Sequence, residues 1–289
     1  MRAVTDTDLQ YLRTWIGRTE TVEDEVRAAP AAALAATLDH PVPALRTGDP
    51  LPLLWHWIFC LPLHRASDLG DDGHARLGGF LPPVPLPRRM YAGGFVEVRQ
   101  PLRIGDALSR VSRVADVSHK AGRSGTLVFV AIRHDFSVGG QLVVTERQDL
   151  VYRDEPGPGE PVAPPRIAQD AAAWTEEVRP DEVQLFRYSA LTFNGHRIHY
   201  DRAFAIDQGY PGLVVHGPLL ATLLADLLRR HLPDATVRTF SFRALRAQFV
   251  REPFLVCGLP TKDGRTVKLW VQDPNVAAVA MEATATLVE

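Results

Sequence analysis

Residues 219–230, LLATLLADLLRR, carry their apolar positions at the period of a helix. Leu219, Leu220, Leu223, Leu224, Leu227 and Leu228 form one broad stripe. Pro218 suits the first helical position. Arg229, Arg230 and His231 stand at the C-terminal end, where the helix dipole favours cations, and Pro233 stops the helix. A second apolar run, LPLLWHWIFCL at 51–61, is expected to form the matching buried helix earlier in the chain. Four other stretches are rich in β-branched and aromatic residues and read as strands. They are GTLVFVAIRHDF (125–136), QLVVTERQDLVYR (141–153), RTVKLWVQD (265–273) and VAAVAMEATATLVE (276–289). A helix as apolar as 219–230 must be covered, and the strands that follow it supply a sheet to wrap it.

The order of these elements repeats. EPGPGEPVAPPR, residues 155–166, is too dense in proline and glycine for helix or ladder pairing and reads as a linker. It separates residues 1–154 from 167–289, each the size of one small domain. Val98-Arg99-Gln100-Pro101-Leu102 is echoed by Val250-Arg251-Glu252-Pro253-Phe254, and Asp49-Pro50-Leu51 by Gly217-Pro218-Leu219. Each half runs loop, apolar helix, antiparallel strands, and the shared order is stronger evidence than any single match. The expected fold is α+β, a tandem double hotdog in which each half curls an antiparallel sheet round one central helix.

Composition narrows the function. The 289 residues are 46% apolar and 23% charged, as in a globular protein with a good core. A net charge of −2 gives no basic footprint for nucleic acid. No apolar run approaches the roughly 18–20 residues of a transmembrane helix. MRAVTDTDLQ has neither the basic start and apolar core of a signal peptide nor the acid-poor character of a transit peptide. Cys60 and Cys257 lack C-x-x-C spacing and read as small core residues in a reducing compartment, so the expected location is the cytoplasm.

The candidate chemistry lies in FNGHRIHYD, residues 193–201. His196 and His199 have the i, i+3 spacing of metal ligands. No H-E-x-x-H motif or cysteine accompanies them, and no metal or cofactor is expected. A polar loop with Asn194 in a turn is the plain alternative. Context favours acid–base chemistry. Gly217 opens the apolar helix 18 residues after His199. Its amide has no intrahelical partner, and the dipole makes it a donor to an oxyanion. A general base (His199), a water-orienting amide (Asn194) and an oxyanion donor (Gly217) suit the addition of water beside a thioester carbonyl.

The segments YSALTFNGHRIHYDRAFA (188–205) and GYPGLVVHGPLLATLLADLL (209–228) resemble the motif of the MaoC-like, or (R)-specific enoyl-CoA hydratase, family of the hotdog superfamily. With PLPRRMYAGG (85–94) the resemblance is to the double-hotdog branch. That branch holds mesaconyl-C4-CoA and itaconyl-CoA hydratases and type 2 3-hydroxyacyl-thioester dehydratases. The resemblance covers the chain from about residue 10 to its end. It implies a hydro-lyase that adds water reversibly to an enoyl-CoA, with no cofactor. An acyl carrier protein is the alternative carrier, and a homodimer of the pseudo-dimeric chain the alternative to a monomer. A hotdog thioesterase and a dehydratase of fatty acid synthesis are the competing activities. The family pattern Asp-x-Asn-Pro-(Leu/Ile)-His falls on Asn194, His196, Arg197, Ile198 and His199, so three positions depart from it. An amide cannot titrate, and the proton work is expected to fall on His199.

Further candidates are weaker. Arg197 would hold a substrate carboxylate, or else pair with Asp201 at i+4. Tyr200 would line the pocket or pack in the core. His196 and His216 read as structural. Arg88, Arg89 and Tyr91, near the glycine pair Gly93 and Gly94, would contact the coenzyme or lie in a solvated loop; Arg243 and Arg246 are comparable. His40 is the only histidine in the loop before the first apolar run. The first half is therefore expected to carry no catalytic residue and to widen the acyl pocket, with Trp55, Trp57, Ile58 and Phe59 along a tunnel.

Overall fold

The computed structural model describes residues 5–42, 44–122, 125–154 and 164–288. Ten strands make one antiparallel sheet: β1 (Thr19–Glu25), β2 (Arg88–Val98), β3 (Ala107–Gly122), β4 (Gly125–Val138), β5 (Gln141–Arg153), β6 (Trp174–Val178), β7 (Val237–Ala244), β8 (Phe254–Pro260), β9 (Thr266–Gln272) and β10 (Val279–Leu287). Their spatial order is β1-β3-β4-β5-β2-β7-β10-β9-β8-β6. The second half of that order mirrors the first, with β1 answering β6 and β2 answering β7. The two sequence echoes, Val98–Leu102 and Val250–Phe254, both fall between the second and third strands of their halves. The chain folds as a double hotdog.

The halves join edge to edge. β2 pairs with β7, Gly93 opposite Arg243 and Gly94 opposite Phe242. A Cβ on Gly93 would stand 2.4 Å from the Phe242 carbonyl oxygen, and one on Gly94 would stand 2.8 Å from that of Arg147. The glycine pair is therefore a seam that lets the strands approach. The linker residues 155–163 lie outside the described part of the chain.

Among the described residues five α-helices accompany the sheet: α1 (Asp6–Arg13), α2 (Ala28–Thr37), α3 (Glu182–Leu191), α4 (Arg202–Asp207) and α5 (Gly217–His231). α5 is the central helix expected from the leucine stripe. Every residue from Leu219 to Leu228 is buried. One of them, Asp226, is a buried carboxylate, and its oxygens accept from Arg229 (2.8 Å) and Arg230 (3.0 Å) and meet His40 Nε2 at 2.7 Å. His40 thus reaches across from the first half to the far end of α5. No helix among the described residues is long and apolar enough to cross a membrane.

The matching helix of the first half is not formed. Residues 51–61 contain only a single 3-10 turn, Trp55–Ile58, bounded by left-handed residues Leu54 (φ 67°) and Cys60 (φ 51°). Pro50, Pro52 and Pro62 deny the run a regular helical ladder. A buried apolar run does not declare its own period. Trp55, Ile58 and Phe59 still pack into the core. The sheet face that a full helix would fill is left partly open.

Candidate active site

The motif loop begins where α3 ends. The Asn194 amide donates to the Ser189 carbonyl at 2.8 Å, and Phe193 takes φ 51° to turn the chain. Asn194 Oδ1 accepts from the His196 amide at 3.0 Å, an Asx turn that leaves the side-chain NH2 for the cavity. Arg197–His199 follows as a 3-10 turn. His199 is buried, and its Nδ1 lies 2.7 Å from the Val214 carbonyl. A carbonyl can only accept, so Nδ1 carries the proton and Nε2 is left as the basic nitrogen. Burial pushes the His199 pKa down to about 4, so the imidazole is neutral near pH 7.

His216 supports it from behind. The two rings stack with centroids 3.7 Å apart, and His216 Nε2 meets Ser189 Oγ at 2.8 Å. His216 caps α5, and Gly217 is the first helical residue. A Cβ on Gly217 would come no closer than 4.0 Å to Tyr91. Packing therefore does not demand glycine here.

Asn194, His199 and Gly217 all line one cavity of about 1390 Å³. Trp57, Phe59 and Tyr91 line it from the first half, and two of the polar groups there stand out. One is Glu146, which accepts from Trp57 Nε1 at 2.9 Å and meets His56 Nε2 at 2.9 Å. Burial alone would raise its pKa, but His56, His134 and Trp57 outweigh that and bring it down to about 2. The other is His74, whose Nδ1 lies 2.9 Å from Asp72 Oδ2. Its ring is 4.1 Å from that of His196, which is 5.4 Å from that of His199.

A family model described as hydroxyacyl-thioester dehydratase type 2 matches residues 54–250. The chain belongs to this family. It is similar to the mesaconyl-C(4)-CoA hydratase of Chloroflexus aurantiacus, 45% identical over 274 residues, 94% of this chain and 96% of the relative. The mitochondrial hydroxyacyl-thioester dehydratase type 2 of Schizosaccharomyces pombe is 27% identical over 263 residues, 81% and 83% of the two chains. A crystal structure of a MaoC-like dehydratase from Phytophthora capsici shares the fold, with a TM-score of 0.70, 16% identity and coverage of 97% and 99%. The chain is thus a hydro-lyase of the hydratase and dehydratase class.

Several expected site residues of this dehydratase-family chain lie elsewhere. Arg197 donates to Asp201 Oδ2 through Nε (3.1 Å) and Nη2 (2.7 Å) and to the Asp71 carbonyl through Nη1 (3.0 Å). It also stacks 4.4 Å over Phe204. It does not line the cavity, and a substrate-carboxylate role is not retained for it. Arg88 is held by the Gln208 carbonyl and lies 5.3 Å over Tyr210. Arg243 is exposed on β7, away from the cavity. Arg89, Arg246 and Tyr200 do line it, Tyr200 at the rim with its hydroxyl donating to the Gly195 carbonyl at 3.0 Å. Trp57 and Phe59 line the cavity, whereas Trp55 and Ile58 do not.

Asp72, His74, His56 and Glu146 escaped the reading of the sequence. DDGH at 71–74 looks like a solvated turn, and the His56–Glu146 contact joins residues 90 positions apart. Asp72, His74 and His196 place ligand-type atoms within 4.8 Å of one another. The Asp72 carboxylate is already engaged by His74, by the ring at one oxygen and the backbone amide at the other (3.0 Å). The set is thus a hydrogen-bonded Asp–His pair beside a second imidazole ring.

The buried histidines set an acid limit on stability. Burial lowers the pKa of His74, His134, His196, His199 and His216. Between about 4 and 6.5 the unfolded His199 binds a proton that the folded one refuses, so stability rises with pH through that window. His199 alone accounts for roughly 3 kcal/mol across it. Urea midpoints are expected to fall steadily from pH 7 to pH 5; a flat profile would contradict the buried, neutral imidazoles.

Proposed function

We propose that the protein hydrates a short dicarboxylic enoyl-CoA, of the kind named in its mesaconyl-C(4)-CoA hydratase relative, giving a 3-hydroxyacyl-CoA. The observation that carries the chemistry is the meeting of His199 Nε2 and the Gly217 end of α5 in one cavity. Asn194 and His199 hold the water. His199 Nε2 takes a proton as the oxygen bonds to the β-carbon, and the double-bond electrons move toward the thioester oxygen. The Gly217 amide faces that developing oxyanion, a contact of a kind worth about 3–4 kcal/mol in a transition state. The α-carbon then takes a proton from a group in the same site.

The cavity wall supports a polar acyl group. His56, His134, Glu146 and Gln148 line it where a fatty chain would need apolar contacts. Arg89 lines it near Asp72 and His74, close enough for its charge to act on both. We assign Arg89 to the distal carboxylate.

Hydration of mesaconyl-C4-CoA, itaconyl-CoA, crotonyl-CoA and longer enoyl-CoAs tests this reading. Loss of enoyl-thioester absorbance without release of thiol is expected, fastest for a dicarboxylic substrate. Arg89→Gln is expected to lower kcat/KM on that substrate about 10–100-fold and to leave crotonyl-CoA nearly unaffected. Faster turnover of long-chain enoyl-CoAs, or thiol release from saturated acyl-CoAs, would refute it.

A further inference from the structure

The proton for the α-carbon needs a donor, and the first half supplies one. Residues 69–75 form a tight hairpin closed by the Leu69–Ala75 bridge and by the Gly70 amide on the His74 carbonyl at 2.7 Å. The hairpin is seated on the motif loop. The Arg197 amide donates to the Asp72 carbonyl at 2.9 Å, and Arg197 Nη1 donates to the Asp71 carbonyl at 3.0 Å. Gly73, at φ 86°, lies so close to Gly195 that a Cβ would overlap the Gly195 carbonyl. These contacts fix His74, with Asp72 behind it, against His196 in the wall of the cavity.

Two of the histidines lining the cavity, His199 and His74, differ in what backs them. His199 Nδ1 faces a neutral carbonyl, whereas His74 Nδ1 faces a carboxylate. An imidazolium formed on His74 is therefore stabilised by a full negative charge, while one formed on His199 is not. Another carboxylate-paired histidine of the cavity wall, His56, spends its Nε2 on Glu146, and its ring contacts are with Trp57 and Phe136. His196 lies between His74 and His199, its ring 4.1 Å from that of His74 and 5.4 Å from that of His199.

We propose that His74, oriented by Asp72, is a second proton-transferring residue of this hydratase and delivers the proton to the α-carbon. In hydration one O–H bond of water breaks and its proton goes to His199 Nε2. The oxygen pair bonds to the β-carbon, and the π electrons pass to the thioester oxygen. His199 Nε2 then releases its proton to solvent at the open cavity, and His74 Nε2, which takes a proton from solvent and holds it against Asp72, gives it to the α-carbon as the enolate electrons return to form the C–H bond. One water is added, and both imidazoles end neutral. Dehydration runs the same steps backwards, with His74 as the base that removes the α-proton. The first half is thus expected to contribute to the chemistry as well as to the walls.

The inference rests on the hydratase reading, and its test separates the two. Wild type, His74→Gln, His74→Ala and Asp72→Asn are assayed on the best enoyl-CoA and on the α-deuterated 3-hydroxyacyl-CoA. For His74→Gln, kcat is expected to fall about 10²-fold or more, with KM within about threefold of wild type. The α-deuterium isotope effect on dehydration should rise in His74→Gln and in Asp72→Asn, because removal of that proton becomes rate-limiting. Added imidazole should restore at least about tenfold of the activity lost in His74→Ala. Asp72→Asn keeps the size of the side chain and gives the same readings should His74 variants fold poorly. Variants that retain kcat within about threefold, with an unchanged isotope effect, overturn the proposal and leave the hydratase reading standing. So does activity that chelator abolishes and zinc restores, since the cluster would then be a metal site. A wild type inactive on every enoyl-CoA overturns both.

Discussion

Replacing His199 with glutamine is expected to lower kcat by about 10²–10⁴-fold, the range for a lost general base. Glutamine nearly matches the reach of imidazole and can still donate to the Val214 carbonyl, so the loop should keep its path. The stack on His216 at 3.7 Å is lost, but the flat amide can lie on that ring in its place. KM should change little, because His199 acts on water rather than on the coenzyme. Single-turnover hydration of the best enoyl-CoA, with circular dichroism as the control for folding, checks this. Activity within tenfold of wild type, with the fold intact, would remove His199 from the centre of the chemistry and place the proton transfer on another group of the cavity.

Gly73→Ala is expected to damage both stability and turnover. The residue sits at φ 86°, where an alanine is strained, and its Cβ would overlap the Gly195 carbonyl oxygen and stand 2.8 Å from the carbonyl carbon. Backbone cannot yield as a flexible side chain does, so the hairpin and the motif loop must separate. Strain and overpacking together cost about 2–5 kcal/mol. A separation of even about 1 Å displaces Asn194 and His199 from the substrate and lowers kcat/KM by about 10²-fold. The urea midpoint and the kinetics should fall together. Gly48→Ala is the control for left-handed strain alone, because Gly48 has φ 92° and nothing within 4 Å of its added Cβ. Equal effects in the two variants would show that the contact between the halves does not matter.

Much of this fold was legible because its signals are local. The leucine stripe, its proline start and its cationic end predict α5 within a residue or two of its limits. QLVVTERQDLVYR is β5 end to end. The repeated succession of elements was readable, while the mirrored strand order came only with the structure. The site was legible to the extent that it is contiguous: Asn194, His199 and Gly217 lie within 24 residues, and the structure brings them to one cavity. The first apolar run misled because burial without a clear period does not separate a helix from a 3-10 turn between left-handed residues. Arg197 misled because its pairing with Asp201 at i+4, one of the two readings open to it, also took in the Asp71 carbonyl and the face of Phe204.

The sequence by itself determined the double-hotdog architecture, the buried helix and the loop ahead of it, since each depends on residues within a few turns of one another. Only the tertiary structure decided what faces that loop. Asp72 and His74 reach it from more than 120 positions away, and Glu146 meets His56 across 90. Such pairings depend on how two sheets join edge to edge at Gly93 and Gly94 and on where a glycine hairpin can dock. Those are matters of close approach in three dimensions, and no local pattern of side chains records them.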